Sequence, residues 1–504
     1  MVDETKDCSK KEQLSFVIRY VHSGIIKEEF IGFEKAEGLN AESLTLKICE
    51  KLCKTTIDIH KCVGQCYDGA SVMSGSAAGV QAKIRELVPQ AIYTHCYNHQ
   101  LNLIVVDSVK NIPLVAEFFA ILQQLYVFVS GSAIHPVFLE MQTSNVKLEL
   151  KRSSETRWSC QHASCLAVQK TLPAILLTLE HFSSVDSSSA ERFLQATSLL
   201  NFVDDKFVVL LVMFEKLLSK VDIVSKQLQS ATCELSQAID LVDCLKQDFI
   251  ADARSNSESD DGMWAAIWDS AESIIKSHDL PQATPVRRQQ RASALSDNRR
   301  FRDFATAAST GRRQVLHTKD DFRTSLFIPV LDRMSSELQR RFAEATCSIY
   351  HGVSALHPES KQFLDEEKIS AMATHYQVDL PDLSAELHTA KRLLQRKKIS
   401  LDGSETAMDS TIQFLKLLEP YRDALYELYR LVVIACTLPA TSAGCERSFS
   451  KLKLMKTYLR NRMNDNRLSN LAIISLNTER AMALSLDNVV DTFAQMHNSR
   501  ITLI

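Results

Sequence analysis

Three carboxylates stand out by where they fall. Asp3 precedes the polar turn Glu4 to Lys11 that leads into the first full strand, Asp68 ends a short strand ahead of Gly69, and Glu446 opens an amphipathic helix after the strand-like VVIACTLP. Side chains at strand ends in α/β sheets project into a shared crevice, so carboxylates far apart in sequence can meet there. Three of them around one crevice suit two divalent cations, Mg2+ or Mn2+, which bridge a scissile phosphate, activate a water or 3′-hydroxyl and steady the leaving oxygen. Separations of 65 and 378 residues require a large insertion that leaves and rejoins one core. A plainer reading stays open, in which Asp68-Gly69 is a turn and Glu446 a helix N-terminal carboxylate favoured by the macrodipole.

Two further constellations carry chemistry. Cys96 and His99 in HCYNHQLNL lie three apart on or entering a helix and share a face, pointing either at a zinc ion or at a buried hydrogen-bonded packing site. Trp158 follows Arg157 in TRWSC, where it can stack on a base or anchor an insertion to the core. Nothing resembles a P-loop, a dinucleotide fingerprint, a nucleophile elbow or an HExxH helix.

A net charge of −3 gives no overall pull toward nucleic acid or anionic membrane, but the charge is segregated. From Arg287 to Arg313 eight arginines, Arg287, Arg288 and Arg291 among them, face only Asp297 and Asp303; from Arg447 to Arg467 seven Lys and Arg face only Asp465. Each run has a balance of +6 and is either a solvated face or a phosphate-binding surface. Thirteen irregularly spaced cysteines fit reduced thiols of the cytosol or nucleus, with Cys49 and Cys53 on one inward helix face. No apolar run reaches the roughly 18 to 20 residues of a membrane span, since Phe207 to Phe214 is bounded by charges; a soluble protein without membrane contact is expected.

The elements that must hold these residues follow from pattern. At 504 residues, 45% hydrophobic and 24% charged, the chain can bury a sizeable core, which excludes collagen-like and wholly disordered classes. Only 13 Gly and 11 Pro argue against a turn-dense all-β protein and for two or three helix-rich domains. Leu14 to Val21 and Ile25 to Phe33 read as a hairpin turning at His22-Ser23-Gly24. A helix from Ala41, capped by Asn40, carries Leu44, Ile48 and Leu52 on one face. Then come a strand ending at Asp68, a helix over 77–87, the strand AIYTHC and a helix from about His99, together a mixed sheet covered by helices.

Beyond Val115 the pattern is helical, interrupted by an acidic exposed loop at 252–262, the basic segment 287–313 and a polar break from Leu401 to Ser410. The chain is thereby expected to divide into 1–130, 131–411 and 412–504. The last block reads as two helices joined near Asn461 to Asn466. Phe449, Leu452, Leu459 and Met463 lie on the first, and Leu468, Leu471, Ile473 and Ile474 make the second too apolar to stand without a partner.

Five stretches, VDETKDCSKKEQLSFVIRYV, GQCYDGASVMSG, THCYNHQLNLIV, ETRWSC and LPATSAGCERSFSKLKLMKTYLRNRM, occur in an order that resembles hAT-superfamily transposases, and specifically their domesticated vertebrate relatives with MYM-type or THAP zinc fingers. The resemblance spans residues 2 to about 477. It implies an α/β fold: a ribonuclease H-like mixed sheet interrupted by a large all-helical insertion, with a helical C-terminal dimerisation region. On that resemblance Asp3, Asp68 and Glu446 match the DDE metal-binding triad, Cys96 and His99 the CxxH motif near the active site, and Trp158 the Trp that stacks near a flipped base. Arg157, Arg287, Arg288 and Arg291 join Trp158 as expected DNA contacts, and Phe449, Leu452, Leu468, Leu471 and Ile474 as the dimerising residues of the block 414–477. No BED, MYM or THAP finger precedes these motifs, and only Met1 and Val2 precede Asp3 in its strand. The expectation is therefore a domesticated or truncated nuclear protein acting through homodimerisation or higher assembly and nucleic-acid contact. The alternative is an active Mg2+- or Mn2+-dependent DNA nuclease or strand transferase.

Overall fold

The computed structural model describes residues 1–110, 112–152, 158–184, 189–259, 262–281, 318–343, 348–396 and 408–496. The expected basic segment 287–313 and Arg157 lie outside them. In chain order the elements are the strands β1 (Val2–Lys6), β2 (Glu12–His22) and β3 (Ile25–Lys35), α1 (Ala41–Lys54), β4 (Gly64–Tyr67), α2 (Ser71–Ser74), α3 (Val80–Leu87) and β5 (Ile92–His95). Helices follow: α4 (Tyr97–Val109), α5 (Pro113–Val129), α6 (His135–Met141), α7 (Trp158–Phe182), α8 (Ala190–Phe202), α9 (Asp205–Leu228), α10 (Leu235–Gln247) and α11 (Met263–Ser277). Then come α12 (Lys319–Phe322), α13 (Ile328–Arg341), α14 (Ser348–Ala355), α15 (Glu366–His375), α16 (Leu380–Arg396) and α17 (Thr411–Leu418). The chain ends with α18 (Tyr426–Thr437), α19 (Ala443–Met455), α20 (Asp465–Leu476), α21 (Thr478–Met482) and α22 (Leu486–Met496). No single helix among the described residues is long and apolar enough to cross a membrane.

The strands form two sheets, an antiparallel β1-β2-β3 and a parallel β4-β5 pair, where one mixed sheet was expected. β1 lies beside β4, but no hydrogen-bonded ladder joins them. The hairpin turns at Ser23-Gly24, whose φ values of 51° and 65° give a turn with both central residues left-handed, the kind that matches strand twist. The β2–β3 register slips between Phe16 and Val17, which leaves Ile31 as an extra residue and lets Phe30 and Phe33, three apart, face the same side. Gly32 sits at that bulge with φ 139°, where a Cβ would come 2.6 Å from Ser469 Oγ.

Each face of the three-stranded sheet has its own cover. Val2, Leu14 and Phe16 pack with Leu44 and Ile48 of α1 and Ile84 of α3, while Val17, Phe30 and Phe33 pack with Cys445, Phe449 and Leu452 of α19 and Leu468 of α20. Asn40 caps α1 by accepting from Ser43 N at 2.8 Å, as its sequence indicated. Cys53 is exposed and Cys49 half-buried, because the inward face of α1 runs through Leu44, Ile48 and Lys51; the shared inward cysteine face is not formed.

Three other sequence expectations are corrected. Asp3 belongs to a paired strand opposite Ser15, with Met1 N donating to Val17 O at 2.9 Å, and the polar turn is confined to residues 7–11. VVIACTLP is mostly helix, because Leu428, Leu431, Val432 and Ala435 are buried with helical spacing that the β-rich composition concealed. The expected loop at 252–262 is helical as far as Ser255, in a wide π-type turn that buries Phe249 and Ala253.

The chain divides into two compact units. One comprises Met1–Leu103, Val224–Cys244 and Arg341–Ile504; the other comprises Ile104–Ile223 and Leu245–Arg340. These divisions fall at other positions than the expected 130/131 and 411/412. Residues beyond 341 belong with the strands because Tyr376 Oη donates to Val63 O at 2.9 Å and Tyr350 Oη meets Thr94 Oγ1 at 3.2 Å. In the second unit Phe118 packs against Phe207 and Phe214 at ring distances of 5.4 and 5.6 Å, and Trp264 against Phe327 at 5.0 Å. The run Phe207 to Phe214 is wholly buried there.

One ion pair locks the first strands to α19. Lys456 Nζ lies 2.5 Å from Asp7 Oδ2, and both side chains are fully buried. Asp7 also accepts from Gln13 Nε2, Ser9 N and Lys11 N. Burial opposes its charge, but the hydrogen bonds, Lys456 foremost, hold its carboxyl below the usual 3.8. Lys456→Met should therefore destabilise the chain by about 3–5 kcal/mol, because it leaves a buried carboxylate unpaired, and Asp7→Leu/Lys456→Met should recover much of that stability. Urea denaturation of the three proteins reads this, and a single variant indistinguishable from wild type would show that the pair does not hold the ends together.

Candidate active site

Asp3 projects from the face of β1 that meets α19. Its strand partner Ser15 sits with Oγ 2.7 Å from Ser448 Oγ, and Cys445 Sγ, one residue before Glu446, donates to Ser15 O at 3.7 Å. Asp68 follows β4 directly; its Oδ1 accepts from Ala70 N at 3.2 Å, and Tyr93 Oη donates to its carbonyl at 3.3 Å. Glu446 lies in the first turn of α19. The structure thus brings the three sequence-predicted carboxylates within electrostatic reach of one another. Burial pushes Asp3 up to about 8, the charge of Asp68 adds to this, and Cys96 and Glu446 contribute against a hydrogen bond from Glu4 N. Burial and the neighbouring negative charges thus favour the protonated form of Asp3.

Cys96 and His99 reach the same place and do different things. Cys96 is fully buried, and its sulfur accepts from Ser442 N at 3.3 Å, while Tyr97 N donates to Ala440 O at 3.1 Å. Those two bonds fasten the end of β5 to the loop that delivers Glu446. A hydrogen bond from Cys66 pulls the Cys96 thiol down despite its burial. His99 is pushed down by burial and by Arg341, with Asp68 and Glu446 pulling it back up. Its ring stacks on His95 at 5.8 Å.

His95, which the sequence pattern did not single out, completes the cluster. Burial first, then His99 and Arg341, lower it to about 4, so it is neutral, and its Nε2 is buried without a hydrogen-bond partner. A Cβ at position 69 would come 2.7 Å from that nitrogen, so Gly69 is needed for the chain to pass. The signal was available in THCYNH, where two histidines four apart flank the cysteine. Among the described residues, no three His, Cys, Asp or Glu side chains are placed to hold one metal ion.

The remaining expected residues are not gathered here. Trp158 starts α7, in the other unit, and its side chain, like Arg157, Arg287, Arg288 and Arg291, lies outside what the structure describes. Of the residues expected to dimerise, Phe449, Leu452 and Leu468 are buried against β2 and β3 of their own chain and are not available to a partner. Their apolar demand is met internally, because the bulged strand presents Phe30 and Phe33 to them. Leu471 is half-buried, and Ile474 is 59% exposed.

The raised Asp3 has a signed consequence. Between pH 3.8 and about 8 the folded chain retains a proton that the unfolded chain releases, so this residue's contribution to stability falls as pH rises through that window. Asp3→Asn removes the titration. Its melting temperature relative to wild type should climb from about pH 4 to about pH 8 and stay level below that. A difference independent of pH would show that Asp3 ionises normally.

Two family models and two curated relatives match the chain. A family model described as the ZMYM1/FAM200, RNase-like domain matches residues 1–79, which include Asp3 and Asp68. A model of the hAT family C-terminal dimerisation region matches residues 389–479, which include Glu446. Over its full length the chain is 26% identical to the human 52 kDa repressor of the inhibitor of the protein kinase and 24% identical to that of Mus musculus. The chain spans 64% of the length of each of these relatives. The likeness drawn from the five motifs is borne out at this level: the chain matches an RNase-like domain at 1–79 and the hAT family C-terminal dimerisation region at 389–479.

Proposed function

We propose that this chain acts in the nucleus as a domesticated, non-cutting hAT-derived protein that self-associates through its C-terminal region and contacts nucleic acid. What supports the reading is the match of residues 389–479 to the hAT family C-terminal dimerisation region, together with full-length likeness to relatives named for repression. The relatives are named as repressors, which fits a regulatory rather than a cutting role. A ribonuclease H-like core split by a helical insertion underlies the site in this reading. Its support is that β1 lies beside β4 and that Glu446 joins Asp3 and Asp68 from far along the chain.

Self-association has a surface to use. Ile474 is exposed, and just beyond the matched dimerisation region α22 carries Leu486, Val489, Val490 and Phe493 with none of them buried. Such a stripe at i, i+3, i+4 and i+7 is one apolar helix face, and it is covered by a second copy of the chain. A second reading, a metal-dependent DNA nuclease or strand transferase, is favoured by the convergence of the three carboxylates and His99. It requires Asp3 to ionise and the three groups to close around Mg2+ or Mn2+.

Two measurements test these readings. Light scattering coupled to size exclusion should give a dimer or larger for wild type and a monomer for Leu486→Glu/Val490→Glu; a monomeric wild type overturns self-association. With Mg2+ or Mn2+ and hairpin or nicked DNA, wild type, Asp68→Asn and Glu446→Gln should be equally inert. Cleavage by wild type that both variants lose would install the nuclease reading instead.

A further inference from the structure

The second basic run, 447–467, is resolved into two classes of cation. Arg447 pairs with Glu28 at 2.7 Å and Lys456 is buried on Asp7, so both serve the fold. Lys451, Lys453, Arg460, Arg462 and Arg467 are exposed, and among the described residues none of them forms an ion pair. The only acid in the stretch is Asp465, half-buried in the first turn of α20. An ordinary solvated face interleaves both signs; this one concentrates five positive charges within 17 residues.

The same stretch displays aromatic and apolar surface at its tip. Between α19 and α20 a short 3₁₀ turn, Tyr458–Arg460, holds Tyr458 84% and Leu459 94% exposed. The tip is anchored at both ends. Cys8 Sγ donates to Lys456 O at 3.2 Å, and Ser9 Oγ donates to Asn461 O at 3.1 Å, so the turn after β1 grips it on either side. A tyrosine on a clamped turn among unpaired cations is pre-organised to receive a flat ring next to phosphates. The charge argues against a second copy as occupant, because a two-fold interface would set the same five cations against themselves.

We propose that residues 451–467 form a binding surface for single-stranded nucleic acid, with Lys451, Lys453, Arg460, Arg462 and Arg467 on its phosphates and Tyr458 stacked on a base. This deepens the nucleic-acid part of the function proposed above and is independent of the state of the carboxylates. Fluorescence anisotropy of the full chain with labelled oligothymidine, across a salt series, tests it. Lys453→Glu/Arg462→Glu should weaken binding at least tenfold and flatten the salt dependence by about 0.7 in slope for each phosphate no longer neutralised. Tyr458→Ala should weaken binding about tenfold while leaving that slope unchanged. Binding by wild type that neither variant alters overturns this surface and leaves nucleic-acid contact elsewhere on the chain. No binding by wild type overturns this surface and the nucleic-acid part of the proposed function together. Variants that lose binding only as they become monomers in light scattering would reassign the tip to self-association.

Discussion

The buried pair of Asp7 and Lys456 is the constraint on which the assembly of this protein's first unit depends. It joins residues 449 apart in the chain, and with neither side chain reaching water, the two charges have only each other and the hydrogen bonds around Asp7. In such a setting attraction matches desolvation only if the geometry is held, so the turn after β1 and the end of α19 must arrive together. Everything nearby inherits that demand. The same turn grips Lys456 O and Asn461 O, and α19 carries Cys445 and Phe449 onto the sheet face beside Asp3.

A second polar knot returns the middle of the chain to the same unit. Arg19 directs its guanidinium to Glu28 at 2.9 Å and to the carbonyls of Cys436, Ala231 and Cys233, while Arg447 reaches Glu28 and Gln229 O. One planar fork thereby ties β2 and β3 to the end of α18 and to the segment that leaves α9. Arginine suits this role because its five donors are fixed in one plane, and a lysine would satisfy only some of those acceptors. The segment 224–244 thus belongs with the strands although long stretches on either side of it do not.

The carboxylate cluster follows from these two fastenings. α19 is pinned by Lys456 at one end and by Cys96 through Ser442 at the other, so Glu446 has little choice but to face Asp3 and Asp68. Like charges brought together under partial burial relax by keeping a proton, and Asp3 is the group that keeps it. His95 and His99 add no compensating charge, since burial and Arg341 hold both down.

What the sequence alone determined was local. The hairpin with its left-handed turn, the Asn40 cap, the strand ending at Asp68 and the inward stripe of α1 are set by neighbours within a few residues, and period and turn chemistry read them correctly. The likeness to hAT-derived proteins was also legible, because five motifs in order carry it. What pattern could not give was decided between distant segments. VVIACTLP looked like a strand because its β-branched residues mask a helical period that appears only once one face is buried. Phe449, Leu452 and Leu468 looked like a surface awaiting a partner, because nothing local revealed that a bulge at Ile31 would turn Phe30 and Phe33 toward them. The separation of the basic run 447–467 into two structural and five free cations likewise waited on Glu28 and Asp7, hundreds of residues earlier in the chain. Burial and pairing are properties of the assembled tertiary structure, and a charge or an apolar side chain acquires its role only from what comes to lie against it.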